Sequence, residues 1–164
     1  LIDKANVQGN HIEQIDKIMK SAKLPDEMLK DLFSVSEQYF SDMLISYNKI
    51  LFELSTFFSY SPERCKRINK NVSTSSTFGY LVKCATEVIT NGTKKGDFIP
   101  VIPIKDVVAF IEASFDGIIR DVTIVKCYYK KDALNTEVEF DEKKLIKCLY
   151  ISTMTLLGKN NEMR

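Results

Sequence analysis

The chain has 164 residues, 45% apolar and 27% charged, and its 23 Lys and Arg against 22 Asp and Glu leave a net charge of +1. This is the composition of one soluble globular domain with enough chain for a real core, and no window reaches the ~18 uninterrupted apolar residues of a membrane span. Basic residues are scattered among acidic ones, with no patch that would collect phosphates, so the chain is not expected to bind nucleic acid by itself.

Val7, Ile12, Ile15, Ile18 and Met19 recur at helical spacing and predict an amphipathic first helix ending near Lys23, its start weakened by Gly9 and Asn10. His11, the only histidine, lacks companions at ligand spacing and is read as a surface or joint residue. Leu24-Pro25-Asp26-Glu27 is a helix start, with proline suited to the first helical position and two carboxylates where the helix dipole favours them. Neither glycine nor proline follows until Ser61, so a break is expected near Ser46 to Asn48, where capping residue types cluster. Before the break, Leu29, Leu32, Phe33, Ser36, Phe40, Met43 and Tyr47 share one stripe; after it come Ile50, Leu51, Leu54, Phe57 and Phe58. Ser36 and Tyr47 are polar groups on an apolar face. They fit a partly wet pocket inside a bundle, or hydroxyls bonded to nearby backbone in a filled core.

Ser61-Pro62-Glu63 opens a fourth helix running to about Asn91, with Ile68, Val72, Phe78, Val82, Ala85 and Ile89 apolar. Its serine- and threonine-rich middle, Asn71 to Gly79, favours competing backbone bonds, so irregularity and spare room are expected there. A glycine-punctuated turn follows from Asn91. From Pro103 to Tyr128 the spacing predicts a helix of about 25 residues. Its core stripe is Ile104, Val107, Val108, Ile111, Phe115, Ile118, Ile119 and Val122, and a second line, Phe110, Ser114, Gly117, Asp121 and Ile124, runs beside it. Gly117 costs roughly 1 kcal/mol against alanine inside a helix, which is explained if another backbone comes close there. The helix then serves two interfaces, its own bundle and a partner chain; the alternative is a central helix wrapped by its own domain. After a polar loop, Phe140 and Leu145 flank Asp141 as a hydrophobic staple around an N-cap. The last helix is apolar on two sides, with Leu145, Cys148, Leu149, Ser152 and Leu156 on one and Ile146, Tyr150, Met154 and Leu157 on the other, and Gly158 ends it.

The four cysteines are far apart and form no CxxC pair, so reduced thiols in a cytoplasmic protein are expected, with a disulfide framework as the lesser alternative, and no metal or cofactor. Two Asn-x-Ser/Thr triplets, at Asn71 and Asn91, are short enough to arise by chance and are discounted without a secretion signal. One histidine excludes a paired Glu-x-x-His carboxylate bundle and leaves serine or cysteine nucleophiles without a base; catalysis is not expected. The chain begins at Leu1 rather than at an initiator methionine, so it is expected to be a piece of something longer.

Several of these features together resemble the C-terminal effector-binding and dimerisation domain of TetR-family transcriptional regulators. They are Pro25-Asp-Glu with Leu29 four residues after the proline, Ser61-Pro-Glu-Arg, Gly92-Thr-Lys-Lys-Gly96-Asp-Phe98, and Pro103 leading into Ala113-Ser-Phe-Asp-Gly117-Ile-Ile. Ile102 departs from the pattern, standing where the family commonly has a capping residue. The resemblance implies an all-α bundle of about six helices, the last two forming an intermolecular four-helix bundle in a homodimer. Residues 1–24 would be the connecting helix from a missing helix-turn-helix domain of about 50 residues, and residues 25–164 the effector-binding and dimerisation domain. A small, partly lipophilic effector would be lined by Phe33, Ser36, Phe40, Tyr47, Phe57, Phe78, Val82, Phe110 and Ser114. The dimer would use Ser114, Gly117, Asp121, Ile124, Cys148, Ser152 and Leu156. A self-contained helical protein-interaction module is the competing reading.

Overall fold

A computed structural model describes residues 2–43, 77–128 and 141–159 of the chain. These form α1 (Ile2–Met19), α2 (Pro25–Met43), α3 (Thr77–Lys95), α4 (Ile104–Tyr128) and α5 (Glu142–Leu156), with no strand among the described residues. The all-α expectation holds at this level. The break near Ser46 to Asn48, the helix from Ile50 to Phe58 and the start at Ser61 lie outside the described residues, and with them the count of six helices.

The second helix is the centre of the bundle, packing against α1, α3 and α5, while α4 packs against α3 and α5. Its start is built as the sequence predicts: the Leu24 N–H donates to Glu27 Oε2 at 3.2 Å, and the Leu24 carbonyl accepts from the Met28 N–H at 2.9 Å. Glu27 thereby satisfies an amide ahead of the first turn, and Pro25 withholds a donor that would have had no partner. Leu29, Leu32, Phe33, Ser36 and Phe40 are buried as expected, and Val35 and Tyr39 widen the buried arc. Burial of Leu29 and Leu32, both fully inaccessible, contributes about 1.5–3 kcal/mol each.

In the first helix one sequence expectation is corrected and another, His11 as a surface or joint residue, is narrowed to the joint. The helix ends at Met19 rather than near Lys23, closed by Lys20 and Ser21 amides on the Asp16 and Ile18 carbonyls. His11 is not a surface residue: it is buried, its ring edge-on to Tyr39 at 5.6 Å, in the joint between α1 and α2. Ile15, four residues on, is fully buried, whereas Ile12 is exposed.

The third helix also runs further than its composition suggests. Asn91 and Gly92 remain helical, and the turn falls at Gly96, φ 82°. There the Gly96 amide donates to the Thr93 carbonyl at 3.1 Å and the Asp97 amide to the Gly92 carbonyl at 2.8 Å, the paired bonds of a Schellman cap. Gly92 serves packing instead: a Cβ there would lie 2.6 Å from the Phe98 ring, which folds back onto the helix and is buried. A second Schellman cap ends α5, with Gly158 at φ 75°, its amide on the Thr155 carbonyl and the Lys159 amide on the Met154 carbonyl. The extended segment after the first cap closes the second, because Ile99 and Val101 donate to the Leu157 and Leu156 carbonyls at 3.0 and 2.9 Å.

The fifth helix begins at the cap that the sequence predicts, while Phe140 of the expected staple lies outside the described residues. Asp141 is the N-cap, Oδ1 accepting from the Lys143 and Lys144 amides at 2.9 and 3.1 Å. Nearby, Lys126 of α4 donates to both oxygens of Glu142. The Lys144 and Lys143 amides hold the Asp141 carboxyl below the usual carboxylate range. A folded value below the unfolded one means that the cap stabilises the fold above the unfolded value and ceases to as pH falls through the folded one. Asp141→Ala should therefore lower the Tm by a few degrees near neutral pH. In thermal melts taken stepwise into acid, the gap between wild type and variant should close below the carboxylate range.

Candidate functional site

Four aromatic side chains from three helices meet in the core. Phe115 of α4 lies 5.6 Å from Phe33 and 5.3 Å from Phe40 of α2, and 5.6 Å from Phe78 of α3, centroid to centroid. Phe40 also meets Phe78 at 5.6 Å, and Phe33 reaches Tyr150 of α5 at 5.4 Å. These separations and tilts are those of attractive ring pairs. The cluster joins three of the residues expected to line an effector cavity, Phe33, Phe40 and Phe78, to Phe115, which the helical stripe had assigned to the core.

The remaining expected residues disperse. Ser36 is fully buried, and its hydroxyl donates to the Phe33 carbonyl at 2.6 Å, the arrangement of a hydroxyl satisfied by its own helix. Val82 is buried, Ser114 is half-buried, and Phe110 is 38% exposed and outside the cluster. Tyr47 and Phe57 lie outside the described residues.

A cleft of about 370 Å³ lies between α2 and α5. Phe33, Ile146 and Tyr150 give it an apolar floor, and Lys30, Glu37, Lys143, Lys144 and Lys147 stand around it. Glu37 faces Lys143 at 3.9 Å while Phe33 meets Tyr150, so the two helices run antiparallel across the cleft. Burial, and then the carboxylate of Asp26, push the Tyr150 hydroxyl above the usual tyrosine range, keeping it a proton donor. Sequence reading found Phe33 and Tyr150 as apolar positions but missed the cleft. Its lysines look like solvated helix faces until α5 is laid on α2.

The outward faces of the last two helices are distinct. In α4, Val107, Ile111, Phe115 and Val122 are buried, whereas Ser114, Gly117, Asp121 and Ile124 are half-buried. No described atom lies within 4 Å of where a Gly117 Cβ would stand, so nothing described in the chain explains that glycine. Among the described residues Asp121 is held only by its neighbour Arg120, at 3.1 Å. In α5, Ile146, Leu149, Thr153, Met154 and Leu157 face the core, Cys148 and Ser152 are exposed, and Leu156 is half-buried.

No group of three or more His, Cys, Asp or Glu side chains that could hold a metal occurs among the described residues. Burial pushes the Cys84 thiol up, away from thiolate reactivity. Tyr80 Oη donates to Asp16 Oδ1 at 2.5 Å, which raises the Tyr80 hydroxyl above its usual range and ties α3 to α1. Among the described residues the fold is therefore a helical bundle with an aromatic core and an amphipathic cleft between α2 and α5. No protein-family model, no curated protein and no solved structure matches the chain.

Proposed function

We propose that the chain is the regulatory domain of a ligand-responsive transcriptional regulator of the TetR type, most simply a repressor, working in the cytoplasm as a homodimer. The observation that carries this reading is the fourth helix, filled on its core face and lined with small half-buried groups around a glycine that nothing described in its own chain approaches. The two-sided last helix, with Cys148 and Ser152 exposed, supports a four-helix interface across a two-fold axis. DNA would be held by a domain preceding Leu1, and α1, latched by Tyr80 and His11 to α3 and α2, would carry the signal. The mechanism is a population shift: an effector prefers one spacing of the two DNA-binding heads, and its leverage equals its differential affinity for the two states.

Sedimentation equilibrium at micromolar concentration tests the dimer. Gly117→Leu should weaken association by about tenfold or more, the scale of 1–3 kcal/mol for overpacking a close contact. A chain monomeric throughout would favour the helical interaction module, for which exposed Ile99, Val101 and Ile102 beside Pro103 offer an apolar contact. The coding sequence upstream of Leu1 tests the DNA link: a basic recognition helix is expected there, and a secretion signal in its place would overturn the mechanism.

A further inference from the structure

The cleft between α2 and α5 pairs an apolar floor with an excess of positive charge. Glu37 is matched with Lys143 at 3.9 Å, and Lys144 stands 4.0 Å from Asp141. Lys30 and Lys147, on opposite walls, make no ion pair among the described residues. Two ammonium groups without an ion-pair partner, set above a low-dielectric floor, bias the cleft toward positive potential, against the single Asp26 carboxylate that acts on Tyr150. The floor itself is aromatic: Phe33, 5% exposed, meets half-buried Tyr150 edge to face at 5.4 Å and 63°, so the ring surface open to a third partner is mainly that of Tyr150. Its volume, about 370 Å³, is at the small end of ligand sites, which run from about 300 to 1,000 Å³. That suits a body of one to three rings rather than a nucleotide cofactor.

From this arrangement we infer that the cleft binds a small aromatic carboxylate, its anionic head between Lys30 and Lys147 and its rings on Phe33 and Tyr150. The inference rests on the proposal that the chain senses a small molecule, and adds the place and chemistry of docking. Lysine suits the head, being a mobile point charge that closes on a compact anion without a fixed fork geometry. Because Phe33 also touches Phe115, an occupant of the cleft presses directly on the core aromatic cluster.

The test is calorimetric titration of the chain with 2-naphthoate and with its neutral analogue 2-naphthylmethanol. Naphthoate should bind saturably, about tenfold or more tighter than the alcohol, on the scale of a charge-assisted contact, and should weaken with added salt. The double variant Lys30→Gln/Lys147→Gln, altered only at exposed positions, should bind the two compounds alike with its circular dichroism unchanged. Equal affinity of the wild type for acid and alcohol, undiminished naphthoate binding by the double variant, or no saturable binding would each overturn the inference. None of these would touch the dimer, so failure of the cleft and failure of the regulator reading are separable.

Discussion

Gly158→Ala should destabilise the chain by about 3 kcal/mol or more, a loss read from the urea midpoint. The position has φ 75°, and a left-handed conformation costs an L residue roughly 1–2 kcal/mol. Here the side chain also has nowhere to go, because its Cβ would sit 2.2 Å from the Ile99 carbonyl oxygen and 3.0 Å from its carbon. Relief requires the extended segment to withdraw, and that segment donates the Ile99 and Val101 amides to the end of α5. Two bonds at about 1 kcal/mol each add to the conformational cost. Gly96→Ala is the control. It has nearly the same backbone angle, φ 82°, with nothing described within 4 Å, so only the conformational part should be lost. Equal losses at the two glycines would mean that the segment from Ile99 to Val101 is not held against α5.

Gly158 and Gly92 mark how far local reading reaches. Pro25, Asp141 and Gly158 each punctuate a helix through chemistry confined to a few residues and act in the structure as their types imply, while the helix expected from Pro103 starts one residue later, at Ile104. Gly92 was misleading for the converse reason. Asn-Gly-Thr favours a turn locally, yet Phe98 packs into the space that the missing Cβ leaves and the helix continues through it. His11 could not be placed from spacing either, since its burial depends on Tyr39, which lies on the next helix. The cleft is the extreme case: Lys30 and Lys147 are polar positions on separate amphipathic helices, and only the antiparallel contact of α2 with α5 makes them neighbours. Periodicity tells which face of a helix is buried, but not which other helix its polar edge will meet.

Phe115→Ala should cost about 3–5 kcal/mol, the range for removing a buried phenylalanine. Phe115 is fully inaccessible and touches rings on both α2 and α3, so its loss leaves a cavity lined by Phe33, Phe40 and Phe78. Phe110, five residues earlier on the same helix and 38% exposed, should cost under about 1 kcal/mol when truncated to alanine, measured as unfolding of the monomer. If α4 serves two interfaces, the ranking reverses for association: Phe110→Ala weakens the dimer, and Phe115→Ala acts on it only through the fold. A loss at Phe115 well below the expected range would mean that the surrounding rings collapse into the vacated space. A core that repacks so readily could also admit an effector, and a thermal shift on adding small aromatics to Phe115→Ala would then exceed that of the wild type. A full loss, with no such shift, leaves the cleft between α2 and α5 as a place where a ligand can act without first unpacking the core.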